Sequence, residues 1–227
     1  YKKAITSNPE YTEAHNNLGL ILQNLGLMAE AIISYEKALA FKPDYTEAHN
    51  NLGNILLELG QLDDAVKSYE KVIAIKPDYA EAHNNLGATL QELGQLDMAV
   101  KSYEKAIAIE PDYSKAHFNL GCTLLDLGQL DASAKSFEKA LVIKPDYAEA
   151  LNSLGNILRE LGQLDMAAKN YKKALAIKPD YAVAHYNLGI VLKEFGQRDS
   201  AVKSFEKALD IQPNYVKAHH SLSILKK

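Results

Sequence analysis

Apolar side chains recur at spacings of three and four residues along two stretches of every 34 residues. In residues 46–79 these positions are Ala48, Leu52, Ile55, Leu56 and Leu59 in the first stretch, and Ala65, Tyr69, Val72 and Ile73 in the second. That spacing predicts amphipathic helices. Gly60 follows the first stretch as a C-cap glycine, and Pro77 ends the second because proline blocks helix continuation. Each segment is therefore predicted to form two helices.

The glycines and prolines follow the same period. All seven prolines lie 34 residues apart, from Pro9 to Pro213, and the twelve glycines form two further series at that spacing. A fixed period of this length indicates a repeat array. The complete repeats are predicted at 12–45, 46–79, 80–113, 114–147, 148–181 and 182–215, with partial repeats at 1–11 and 216–227. Repeat positions are counted below from the first residue of each repeat, so that Thr46 is position 1 of the second.

Neither helix of a repeat can bury its apolar stripe alone, so successive repeats must stack. We therefore expect residues 1–227 to form a single repeat domain. The sequence opens partway through a second helix, and we expect it to be a fragment of a longer chain.

The signature positions of residues 46–79 are Ala48, Leu52, Gly53, Ala65, Tyr69, Val72 and Pro77. This pattern resembles the tetratricopeptide repeat, with Val72 a departure from the usual alanine. The resemblance implies an all-α, right-handed α-solenoid (superhelix) of antiparallel helix pairs, whose first helices line a concave groove. The family often has tryptophan at position 4. This chain has histidine there in five complete repeats and Leu151 in the fifth.

Composition and charge exclude several classes of partner. The formal net charge of −4 gives no general attraction to nucleic acid or to an anionic membrane. No apolar run approaches the length of a transmembrane helix. The single cysteine, Cys122, cannot form an intrachain disulfide. The sequence does not fix the compartment, and we expect the cytoplasm.

The sequence offers no catalytic, cofactor or metal site. It contains no nucleophile with a base, no phosphate-binding loop and no paired carboxylates held in a pocket. Histidines one repeat apart are too distant to share a zinc ion, whose ligand distances are about 2 Å, and we expect them to pack. We therefore predict that this segment is not an enzyme and carries no cofactor.

Asparagines form a polar stripe on the predicted first helices. We predict that they bind a peptide, because a carboxamide offers a donor and an acceptor that match a peptide group. The candidate residues are Asn17, Asn51, Asn85, Asn119 and Asn187 at position 6, Asn16, Asn50 and Asn84 at position 5, Asn54 and Asn156 at position 9, and the aromatic Phe118 and Tyr186 at position 5.

The position-6 series is similar to the asparagine ladder in the superhelical domain of O-linked N-acetylglucosamine transferase, which grips the backbone of extended peptides. Two alternatives stay open. The asparagines could bond neighbouring helices or merely solvate the groove, and the two aromatic side chains could pack against the adjacent first helix instead of anchoring a partner.

The first three repeats contribute only acidic charges to their first helices. These residues are Glu13, Glu47, Glu58, Glu81 and Glu92. The later first helices mix both signs. The groove is therefore predicted to be acidic towards its N-terminal half.

Three hypotheses for function follow. The first is a protein-interaction scaffold that binds a protein or peptide in extended conformation, with no nucleic-acid or membrane partner. The alternative is the substrate-selecting arm of a larger enzyme, such as a glycosyltransferase, and the third is a purely structural element. The partial repeats at the two ends are complementary halves, which predicts weak head-to-tail self-association.

Overall fold

The computed structural model describes residues 10–225, and in this range the regular structure is entirely α-helical. The helices are α1 (Thr12–Asn24), α2 (Met28–Phe41), α3 (Thr46–Glu58), α4 (Leu62–Ile75), α5 (Ala80–Glu92), α6 (Leu96–Ile109), α7 (Ser114–Asp126), α8 (Leu130–Ile143), α9 (Ala148–Glu160), α10 (Leu164–Ile177), α11 (Ala182–Glu194), α12 (Arg198–Ile211) and α13 (Val216–Leu225). The odd-numbered helices are called A helices and the even-numbered ones B helices. Each complete repeat contributes one A helix and the B helix that follows it. The predicted all-α solenoid of helix pairs is confirmed.

The turn within each repeat depends on its second glycine. Gly60 has a φ of +71°, a left-handed conformation that side-chain-bearing residues adopt at a cost. The Gly60 amide donates to Leu57 O and the Gln61 amide to Leu56 O, so the last carbonyls of α3 are satisfied before α4 begins. The C-cap glycine predicted from the sequence is confirmed.

The centre of each repeat is an aromatic ring at position 24. Tyr35, Tyr69, Tyr103, Phe137, Tyr171 and Phe205 are all completely buried. In the second repeat the bare backbone of Gly53 on α3 lies against the Tyr69 ring of α4. The glycine therefore offsets its poor helix propensity by letting the two helices approach closely.

The described chain separates into two compact units, which divide between Thr123 and Leu124. The A helices of the first, second, third, fifth and sixth repeats each pack against their own B helix, and within each unit a B helix packs against the A helix that follows it, as α4 does with α5 and α10 with α11. Successive A helices also contact one another, as α1 does with α3 and α9 with α11. Within either unit, no described pair of successive B helices packs as closely. Each unit therefore has a tightly packed face of A helices and a B face on which clefts can open.

Candidate functional site

Asparagine side chains on the A helices form hydrogen bonds from one repeat to the next. In each pair, the carboxamide Nδ2 at position 6 donates to the carboxamide Oδ1 at position 5 of the preceding repeat. The pairs are Asn51 with Asn16 at 3.1 Å, Asn119 with Asn84 at 3.0 Å, and Asn187 with Asn152 at 3.0 Å. One of the alternatives left open by the sequence, that the asparagines bond neighbouring helices, is therefore observed.

Position 9 supplies a second acceptor in two repeats. Asn54 Oδ1 accepts from Asn85 Nδ2 at 3.2 Å and from the Tyr69 hydroxyl at 2.7 Å. Asn156 Oδ1 in the fifth repeat accepts in the same way, from Asn187 Nδ2 at 3.0 Å and from the Tyr171 hydroxyl at 2.8 Å. In these two repeats the position-9 carboxamide therefore links the position-6 asparagine of the next repeat to the buried tyrosine of its own repeat.

The tyrosines act as neutral hydrogen-bond donors in this network. Burial raises the pKa of Tyr171 to about 12, and it raises the pKa of Tyr69 further. Desolvation disfavours the charged phenolate, so the hydroxyl keeps its proton and donates to the asparagine. The orientation of the position-9 carboxamide is fixed by this bond.

The candidate residues differ in their exposure to solvent. Asn16, Asn50 and Asn84 at position 5 are buried, and Asn84 is 0% exposed. The partly exposed candidates are Asn17, Asn51, Asn85 and Asn119 at position 6, Asn54 and Asn156 at position 9, and Phe118 and Tyr186 at position 5. Asn187 is 7% exposed. The structure therefore divides the asparagines into a buried inner row at position 5 and a partly exposed outer row, which consists of Asn17, Asn51, Asn54, Asn85, Asn119 and Asn156. Asn187, predicted as a contact residue, is buried like the inner row and does not belong to the outer row.

One inner-row group lacks a partner. The buried Oδ1 of Asn50 accepts no hydrogen bond within the described part of the chain. Asn85, at position 6 of the next repeat, would be the donor by analogy with the other pairs, but it donates to Asn54 instead. In the sixth repeat the corresponding donor, Asn187, reaches both acceptors of the fifth, Asn152 and Asn156. The second and third repeats thus lack a bond that the fifth and sixth repeats make.

The sequence analysis overlooked Asn152, which belongs to the inner row and accepts from Asn187. It also overlooked a signal of the pairing. Wherever position 5 is asparagine, position 6 of the next complete repeat is asparagine as well, whereas the aromatic residues Phe118 and Tyr186 are followed one repeat later by Ser153 and Ser221. Donor and acceptor therefore occur together in the sequence.

Tyr186 belongs to an aromatic cluster in the C-terminal unit. The centre of its ring lies 5.7 Å from that of Phe205 and 5.1 Å from that of Tyr215. Phe205 is the buried position-24 ring of the same repeat, and Tyr215 precedes α13. Tyr186 therefore packs partly inside its own repeat and shows only part of its ring to solvent.

The position-4 histidines hold the turns between repeats. In five of them the imidazole Nε2 lies within hydrogen-bond distance of the carbonyl of the proline six residues earlier, to which it donates. The pairs are His49 with Pro43 at 2.9 Å, His83 with Pro77 at 3.0 Å, His117 with Pro111 at 2.9 Å, His185 with Pro179 at 2.9 Å, and His219 with Pro213 at 2.7 Å. Leu151 in the fifth repeat cannot make this bond. The histidines have a structural role that the sequence analysis described only as packing.

Residues 10–225 contain neither a cluster of metal-ligating side chains nor a helix that could span a membrane. No three His, Cys, Asp or Glu side chains there are grouped so that they could hold a metal ion. Among the helices of this range, none combines the length and the apolar character that crossing a membrane requires.

Three sequence profiles of repeat families together match most of the chain. The profile described as TPR repeat matches residues 28–60, 53–94, 123–158 and 155–196, which together exceed half of the chain. Profiles described as Tetratricopeptide repeat match residues 80–113 and 182–215, and residues 102–134. No curated protein sequence matches the chain.

Several solved structures are similar to the chain. YrrB, described as a TPR protein with an unusual peptide-binding site, has 24% identity and a TM-score of 0.66, over 83% of this chain and 97% of its own. PilF of Pseudomonas aeruginosa has 21% identity and a TM-score of 0.83, over 94% and 97%. MamA has 28% identity and a TM-score of 0.65, over 73% and 97%.

Proposed function

The chain belongs to the tetratricopeptide repeat family, and on that premise we propose that it is a protein-interaction scaffold that binds an extended peptide segment along its A helices. YrrB, a structure similar to this chain, is named for a peptide-binding site. The proposed contact residues are the outer-row asparagines at positions 6 and 9, with Phe118 and Tyr186 as neighbouring apolar contacts.

The observation that carries the proposal is the partial exposure of the outer row together with its fixed orientation. A carboxamide has two donor hydrogens and an acceptor oxygen, and the bond from Asn51 to Asn16 uses one of those hydrogens. The remaining donor and acceptor capacity can pair with the N–H and C=O groups of a ligand backbone. A preoriented carboxamide loses less conformational entropy on binding than a free one.

The inner row supports this contact without touching the ligand. Asn16 and Asn84 are buried, and each holds an outer-row carboxamide through its Oδ1. We therefore assign an orienting role to Asn16 and Asn84, which were predicted to contact the ligand. Asn50, predicted likewise, is also buried, but its Oδ1 holds no outer-row carboxamide. Packed helices lie about 8–10 Å apart and a strand rises about 3.3 Å per residue, so successive outer-row asparagines would meet about every third ligand residue.

The partner of the N-terminal unit is expected to carry positive charge. Helices α1, α3 and α5 carry exposed glutamates, including Glu47 and Glu81, and contain no lysine or arginine. Screening weakens attraction between exposed charges, so the affinity for a basic peptide should fall as salt concentration rises.

The test is a calorimetric titration with a peptide selected from a displayed library. Asn51→Ala and Asn119→Ala should each weaken binding about tenfold, the loss expected for one or two hydrogen bonds. Lys67→Ala, on the exposed face of a B helix, is the control. Methylating the ligand's backbone nitrogens one at a time should weaken binding at about every third position. An unchanged affinity in both asparagine variants, with reduced stability, would show that the outer row is only structural.

The matched families and similar structures do not support the alternative of a substrate-selecting enzyme arm, and we do not pursue it. The role proposed is non-catalytic. The single-domain organisation and the cytoplasmic location stay predictions.

We also propose the weak head-to-tail association predicted from the sequence. On α13, Val216 is 76% exposed and Ile224 is 48% exposed, and exposed apolar side chains of this kind favour association. Its expected complement includes residues 1–9, which lie outside the described range. Sedimentation over a wide concentration range should show reversible dimers that Val216→Lys weakens. A strictly monomeric wild-type chain would contradict this proposal.

A further inference from the structure

The chain departs from the repeat pattern at three positions of the fifth repeat and at one position near the end of the fourth. Val142 and Lys172 replace the alanine and the glutamate that most repeats have at positions 29 and 25. Leu151 replaces the position-4 histidine, and Asn170 replaces a serine. Val142 belongs by number to the end of the fourth repeat and is 76% exposed. These departures lie next to one another in the C-terminal unit.

Two clefts flank α10 on this face. The first has a volume of about 590 Å³, and Val142, Leu151 and Asn170 are among the residues that line it. Its other apolar walls come from Leu141, Pro145 and Ile177. Its charged side chains are Glu138 and Lys173. Three of the four departures therefore shape one largely apolar cleft.

The second cleft is basic. Its volume is about 520 Å³, and it is lined by Lys169, Lys172 and Lys173, with Asp165 as its acidic residue. Phe195 and Leu192 contribute apolar walls. Lys173 and Ala176 line both clefts, so the two are neighbours across α10. Each other complete B helix contains at least as many acidic as basic residues, whereas α10 has three lysines and one aspartate.

We propose that this surface of α10, with its two clefts, is a second docking site, which binds an acidic segment of a partner protein. The apolar cleft takes a large apolar side chain, and the lysines of the basic cleft pair with carboxylates. This site is centred on the B helix α10, with walls from the neighbouring helices α8, α9 and α11, and none of the candidate asparagines of the A helices lines it.

The width of α10 sets the separation between the two ligand residues that enter the clefts. A helix with its side chains is about 10 Å across, and an extended chain rises about 3.3 Å per residue. A segment that crosses α10 therefore places its apolar anchor and its acidic residue about three residues apart. Two separate concave clefts of different character suit a peptide with ordered side chains better than a flat membrane surface.

The experiment uses the full chain and an array of short peptides. Each peptide carries leucine or phenylalanine and a pair of aspartates at separations from one to six residues, and a matched peptide carries asparagines instead. Binding should be strongest near a separation of three and should be lost in the asparagine peptides. The proposal fails if no aspartate peptide binds better than its asparagine match, or if binding does not depend on the separation.

Two sets of variants locate the binding. The combination Val142→Ala, Leu151→His, Asn170→Ser and Lys172→Glu installs residues that other repeats carry at these positions, so it should fold and bind at least about tenfold more weakly. Lys169→Glu should also weaken binding, whereas Lys101→Glu, the same change at the same repeat position of α6, should not. If Lys169→Glu and Lys101→Glu weakened binding equally, the attraction would come from the overall charge of the chain and not from this cleft, and the proposal would be overturned. Stronger binding of the wild-type chain to vesicles of equal parts phosphatidylserine and phosphatidylcholine than to any peptide would overturn it in favour of a membrane.

Discussion

The carboxamide of Asn187 on α11 donates a hydrogen bond of 3.0 Å to Asn152 on α9, and so joins two consecutive repeats. Asn187 is 7% exposed and Asn152 4% exposed, so water cannot readily replace either partner. The same side chain of Asn187 reaches Asn156 at 3.0 Å. The contact between these repeats therefore includes two polar bonds in addition to apolar packing.

Asn187→Ala should lower the free energy of unfolding by about 2–3 kcal/mol, because it removes two hydrogen bonds and leaves the buried Asn152 unsatisfied. Urea denaturation measures this loss. A double-mutant cycle with Asn152→Ala should give a coupling energy of about 1 kcal/mol. Additive effects of the two changes would show that the bond contributes nothing specific.

Gly53→Ala should destabilise the protein although alanine is the better helix former. A Cβ atom at residue 53 would lie 2.7 Å from Tyr69 Cε1, closer than packed side chains allow. Overpacking costs about 1–3 kcal/mol and outweighs a propensity gain of about 1 kcal/mol. Thermal denaturation should show a lower midpoint. Combining Gly53→Ala with Tyr69→Leu should cost less than the sum of the two changes, and a stabilised Gly53→Ala protein would contradict the close packing of α3 on α4.

His117→Leu should cost about 1 kcal/mol, because the carbonyl of Pro111 loses the imidazole bond of 2.9 Å. The opposite exchange, Leu151→His, should gain a bond of this kind. It also removes the buried leucine side chain, which is 4% exposed. Its net effect should stay within about 1 kcal/mol. Chemical denaturation measures the free energy of unfolding of both variants. An unchanged value in the His117→Leu protein would show that the bond to the turn is dispensable.

The protein should lose stability between about pH 10 and pH 12. Burial raises the pKa of Tyr35 and of Tyr171 from 10.0 to about 12. In this interval the unfolded chain has released phenolic protons that the folded chain retains, so the free energy of unfolding falls as pH rises. Below about pH 10 both the folded and the unfolded chain keep their phenolic protons, so the stabilisation by the buried tyrosines is fully present.

Thermal melting at a series of alkaline pH values, followed with the ultraviolet absorbance of tyrosinate, measures this effect. Tyr171→Phe should lower stability at neutral pH by about 1 kcal/mol through the lost bond to Asn156, and it should reduce the alkaline dependence. Phenylalanine already occupies this position as Phe137 and Phe205, so the ring itself is tolerated. An unchanged alkaline profile in the variant would mean that Tyr171 does not contribute to it.

The helix pairs could be predicted from the sequence because their signals are local. Gly60 and Pro77 mark helix ends through their own backbone properties, and apolar spacing defines the buried stripe. These features recur in each repeat, so every repeat supports the same prediction.

The arrangement of the candidate site depends on contacts between repeats. The residue pattern of a single helix carries no information about these contacts. Asn50 lies on the polar side of α3, yet the structure buries it. Tyr186, which the sequence offered as an exposed anchor, packs on Phe205 and Tyr215. Only a comparison of position 5 in one repeat with position 6 in the next could have indicated the inner row.

The bonds between positions 5 and 6 also restrict the order in which repeats can follow one another. A repeat with a position-5 acceptor such as Asn84 needs a successor that supplies a donor such as Asn119. If a duplication or deletion placed a serine-bearing repeat after it, a buried carboxamide would lose its bond. Repeats that look interchangeable therefore differ in the neighbours that suit them, and a rearrangement of this gene should cost least stability where the new junction restores a bonded pair.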